Sequence, residues 1–66
     1  MMIEPWEIWD TYSGNLVFEG TPAQVDAFLH DLYRAQGTGG LTGLKVGPAD
    51  ESHTVDALVI AEDAGW

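Results

Sequence analysis

An amphipathic helix is written into the middle of the chain, and it limits what the flanking segments can build. Thr21 is a good helix N-cap, and Pro22 suits the first helical position. Gln24, three residues after Thr21, completes a capping box. Val25, Phe28, Leu29 and Leu32 follow at i, i+3, i+4 and i+7, which makes one apolar face. Asp26, His30, Asp31 and Arg34 occupy the other face, and Gly37 is a natural C′ residue. The spacing predicts a helix over 22–36. One such stripe covers one face of whatever it packs on.

The flanks read as strands. Ile3, Trp6, Ile8 and Trp9 favour a first strand, with Pro5 at an edge or strand-start position. Ser13-Gly14-Asn15 signals a turn, and Leu16-Val17-Phe18 a second strand, so 3–19 reads as a hairpin. After the helix, Gly37-Thr38-Gly39-Gly40 reads as a flexible connection. A third strand over about 41–46 is weakened by Gly43. Residues 47–52 are rich in turn formers. The strongest strand is expected at about 53–61, because Ala57-Leu58-Val59-Ile60 is apolar on both faces, as in a central strand. Residues 62–66 read as a loose tail unless Trp66 docks. The expected fold is α+β, in ββαββ order: a small antiparallel sheet of three or four strands with one helix packed on one face. Its core should hold Val25, Phe28, Leu29, Leu32, Val55, Val59 and part of the Trp6–Phe18 hairpin. At 66 residues the chain is expected to form one domain (1–66), burying roughly 60% of its unfolded surface.

Charge narrows the function. Eleven acidic residues stand against two cationic ones, Arg34 and Lys45, for a net charge of −9. Direct nucleic-acid binding and anionic membrane surfaces are disfavoured, since both need a basic face. The absence of cysteine excludes disulfides and cysteine-based zinc sites. The longest uninterrupted apolar stretch is 57–61, against the ~20 residues that span a bilayer. The acidic start lacks the basic region of a signal peptide, so the cytoplasm is the expected compartment.

No catalytic constellation stands out. His30, with Asp26 at i−4 and Arg34 at i+4, has the setting of an oriented general base. Nothing nucleophilic lies nearby, and a solvated face with local ion pairs accounts for the spacing. Ser52-His53 beside Asp50-Glu51 has triad residue types, but neighbours on a strand point to opposite faces, and no nucleophile elbow is present. Asp50, Glu51 and His53 match no calcium-loop spacing. The Gly37–Gly40 run lacks the Lys-Ser/Thr of a phosphate loop. Paired carboxylates acting on a glycoside would need a cleft that so short a chain can hardly build. The expectation is a non-enzyme with no cofactor and no metal site.

The aromatics and acids point instead to recognition. Three tryptophans are many for this length. On the first strand Trp6, Ile8 and Tyr12 share one parity, and Ile3 and Trp9 the other. One set should lie under the helix, and the other should face outward as an interaction surface unless loops or the tail, Trp66 in particular, fold over it. Trp6, Trp9 and Tyr12 are the candidate anchors, with Glu4, Glu7 and Asp10 as charged rim. The expected partner is another protein with a basic surface. The alternative is a second copy, in a homodimeric structural module whose acidity serves solubility.

With few lysines, many Asp, Ala and Gly, and a compact Trp-rich ββαββ pattern, the chain resembles in style the small acidic accessory proteins of bacteriophages, particularly those of actinobacterial hosts. The resemblance is one of composition. It implies a protein that binds and redirects a host protein, in some cases by mimicking the charge of DNA, and it assigns no role to any residue.

Overall fold

The computed structural model describes residues 5–50 and 53–66. Strands β1 (Trp6–Asp10) and β2 (Asn15–Gly20) form a hairpin, followed by helix α1 (Pro22–Gln36) and the short helix α2 (Thr38–Leu41). Strand β3 (Leu44–Pro48), strand β4 (Val55–Asp56) and helix α3 (Ala57–Ala64) complete the chain. The four strands make one antiparallel sheet in the order β2-β1-β3-β4. The class is α+β, as expected, but the expected ββαββ order with one helix is not kept, since α2 precedes β3 and α3 follows β4. Pro5 stands just ahead of β1, and its carbonyl accepts the Ala49 N–H at 2.9 Å. Strand β2 carries an extra residue opposite β1 between Ile8 and Trp9, a bulge in the edge strand.

Helix α1 occupies the predicted span. The Thr21 hydroxyl accepts from the Gln24 N–H at 3.1 Å, and the Gln24 side-chain oxygen accepts from the Thr21 N–H at 3.0 Å. These bonds satisfy two backbone donors, one of them in the helix's first turn. Val25 and Leu29 are fully buried. Phe28 and Leu32 are half-buried, and Phe28 stacks on Phe18 with ring centroids 4.6 Å apart. Ile8 and Val46, opposite each other on β1 and β3, meet this stripe from the sheet. Leu41, Leu44, Ala57 and Ala61 complete the core.

The C-terminal third differs from the sequence expectation. Strand pairing there stops after Val55–Asp56, and residues 57–64 are helical. A short apolar run fits either a buried strand or a helix. The choice falls to Ala57 and Ala61, four residues apart on one face and both buried, whose small side chains let α3 sit close against the sheet. Gly65 then ends the helix in the left-handed region, with φ 73°, and its N–H bonds back to the Ala61 and Glu62 carbonyls. Val55 and Val59, expected in the core, are 39% and 44% exposed. The expected flexible Gly connection holds α2, whose last residue, Leu41, is fully buried, so the third strand begins only at Leu44.

The segment expected as a loose tail is packed. The Trp66 N–H donates to the Ala61 carbonyl at 3.0 Å. Its ring stacks on His30, with centroids 4.7 Å apart, and lies 5.9 Å from Tyr33. His30 thus meets an indole rather than the expected ion-pair ladder. Among the described residues the ion pair present is Lys45–Asp56, at 2.9 Å across β3 and β4. Asp56 precedes α3 but makes no side-chain capping bond to it.

Candidate interaction surface

Strand geometry sorts β1 into two faces. Trp6 and Ile8 point toward the helices, and Glu7 and Trp9 point away. Glu7 lies between Glu19 of β2 and Gly47 of β3. Trp9 lies between Leu16 and Lys45, and Lys45 in turn faces Asp56. One row, Leu16–Trp9–Lys45–Asp56, therefore crosses all four strands on the face away from the core. Trp9 is half-buried among its neighbours, and Leu16 is 44% exposed.

The main-chain hydrogen bonds fix how close Glu7 and Glu19 come. The Thr11 N–H donates to the Gly43 carbonyl, and the Ala49 N–H to the Pro5 carbonyl, each at 2.9 Å. Odd-numbered residues of β1 therefore exchange hydrogen bonds with β3, and even-numbered ones with β2. Glu7 and Glu19 are thus a non-hydrogen-bonded cross-strand pair, the closer kind, with β-carbons about 4.5–5.5 Å apart. The Glu7 carboxylate accepts the Trp9 indole N–H at 3.2 Å. No described cation pairs with either glutamate. Like charges placed this way oppose each other.

The remaining candidates fall elsewhere. Trp6 packs against the core and meets the His53 ring edge-on at 6.5 Å. Tyr12 is 80% exposed in the β1–β2 turn, past the end of the strand, with its ring against Gly43. Asp10 accepts the Tyr12 N–H at 2.9 Å and so braces the turn. Glu4 lies outside the described residues. The structure thus brings Trp9 and Glu7 together, holds Tyr12 and Asp10 at the hairpin end, and turns Trp6 to the opposite face. Glu19 and Leu16 join the surface unforeseen, because only the hairpin register shows what they face.

No protein-family model, curated protein or solved structure matches this chain. The functional reading therefore rests on the surface itself. Among the described residues no three His, Asp or Glu side chains gather to hold a metal ion, and no helix is long and apolar enough to cross a membrane.

Proposed function

We propose that the chain is a non-enzymatic binding module whose outward sheet face, around Trp9, engages a basic surface on another protein. The Glu7–Glu19 pair beside Trp9 carries this reading. A core this small supplies only about 3–5 kcal/mol. Two glutamates directly opposite on neighbouring strands subtract from that margin, by up to about 1 kcal/mol. A partner's lysine or arginine placed between them turns repulsion into charge-assisted hydrogen bonds. Trp9 and Leu16 supply the apolar centre, and Tyr12 extends the surface past the hairpin end. The net charge of −9 speeds encounter with a basic partner. A host protein whose basic face ordinarily meets nucleic acid fits these terms, in keeping with the resemblance to phage accessory proteins. Self-association through the same face is opposed by the net charge of −9 that each copy carries.

Affinity capture from a bacterial lysate tests the reading, with wild type, Trp9→Ala and Glu7→Gln/Glu19→Gln as baits. One basic protein should be retained by wild type and released at moderate salt. Trp9→Ala should lose it, and the double Gln variant should weaken it. Equal retention by all three baits, or recovery of the bait alone, refutes the proposal.

A further inference from the structure

A groove of about 310 Å³ opens on the helical side of the molecule, between α1, α2 and α3. Tyr33, Thr38, Leu58, Ala61, Glu62 and Trp66 line it. We infer that this groove is a second recognition site, which takes an arginine side chain presented by a protein partner. The inference does not depend on the sheet-face reading.

The lining selects the ligand. The Tyr33 and Trp66 rings are inclined at 39° with centroids 5.9 Å apart. Trp66 is held in place by its stack on His30 and by its backbone bond to Ala61, so little ordering remains to be done on binding. Glu62 is the charged group of the lining, and no described cation pairs with it. Aromatic rings beside a carboxylate favour a cation, and an overall charge of −9 repels anions. Between the two cationic side chains the geometry favours arginine. Its guanidinium is planar and weakly hydrated, stacks on an indole, and offers a carboxylate two parallel donors. A lysine ammonium is compact and strongly hydrated, and gives up more on leaving water. Leu58, 37% exposed on α3, offers an apolar surface for the aliphatic stem. The volume is at the low end for small-ligand pockets, about 300–1,000 Å³, and ample for one long side chain.

The test is an amide- and indole-detected NMR titration of the full chain with Nα-acetyl-argininamide. Nα-acetyl-lysinamide and the uncharged isostere Nα-acetyl-citrullinamide are the comparison probes. The arginine probe should shift Tyr33, Leu58, Glu62 and the Trp66 indole, and leave the Trp9 indole still. Citrulline should bind at least about tenfold more weakly, lysine should fall between, and Glu62→Gln should reduce arginine affinity by about tenfold. Asp63→Asn makes the same charge change one residue away, outside the lining, and should have little effect. Glu62→Gln alters an exposed helix position, so the fold stays intact for the comparison. The proposal is overturned if the three probes bind alike, if shifts spread evenly over the acidic surface, if Glu62→Gln and Asp63→Asn act alike, or if no shift occurs.

Discussion

Replacing Gly47 by alanine should weaken the fold more than the size of a methyl group suggests. A β-carbon on Gly47 would overlap the His53 carbonyl oxygen, and would stand 2.9 Å from the Thr54 methyl and 3.2 Å from the Thr54 Cα. The nearest of these is backbone, so no side chain can swing aside to make room. Relief requires the segment leading into β4 to lift away from β3. Overpacking of this kind costs about 1–3 kcal/mol. Lifting β4 also strains the exposed Lys45–Asp56 pair, worth about 0.2–1 kcal/mol. The expected loss is about 1–4 kcal/mol. With an unfolding entropy of about 2.1 cal/mol/K per residue, each kcal/mol lowers the Tm of this chain by about 7 °C, so the drop should be about 7–28 °C. Gly39→Ala is the matched control, because a β-carbon there meets nothing within 4 Å and the position is helical. It should be neutral, or stabilising by up to about 1 kcal/mol. Thermal and urea unfolding, followed by circular dichroism and tryptophan fluorescence, measure both. A Gly47→Ala protein melting within about 3 °C of wild type would refute the reasoning, and with it the close approach of residues 53–54 to β3.

Three further outcomes follow from the same structure. Glu19→Lys should raise stability by about 0.5–1 kcal/mol in low salt, shrinking as salt is added, because it replaces a like-charge cross-strand pair by an opposite one; urea midpoints at two ionic strengths check this. The same change should weaken the protein partner's binding to the sheet face. Thr21→Ala should cost about 1 kcal/mol by removing the hydroxyl half of the capping box, read from the same unfolding curves. Trp66→Ala should cost about 1.5–3 kcal/mol and change the near-ultraviolet circular dichroism, since the ring is packed on His30 and Tyr33; a cost below about 0.5 kcal/mol would mean that the indole contributes little to the fold.

What could be read from the sequence was what local chemistry decides. Thr21, Pro22 and Gln24 start α1 through bonds to their own neighbours, and the Val25–Leu29 stripe keeps its period whatever it packs on. Residues 57–61 are not settled by their neighbours in this way. Their apolar run suits a strand as well as a helix, and what decides it is close packing of Ala57 and Ala61 against a sheet that exists only after folding. The site divides the same way. The outward parity of Trp9 follows from the two-residue repeat of a strand, and the same repeat separates it from Trp6. That Glu19 faces Glu7 depends on the register beyond the β2 bulge, which no pattern of residue types encodes. Trp66 docks because Gly65 reverses the chain, which needs α3 to be in place first.

The bulge in β2 also bears on strand-to-strand association of a chain that exposes Leu16 and Val17. An open sheet is a template for fibrillar stacking wherever an edge strand is long, flat and regular. Here one edge is two residues long and runs straight into α3, and the other is kinked by its extra residue and bears Glu19. Neither edge offers a straight run of main-chain groups to another copy. Growth of the sheet strand upon strand is thereby discouraged at both ends, and the broad face around Trp9 is left for lateral contact.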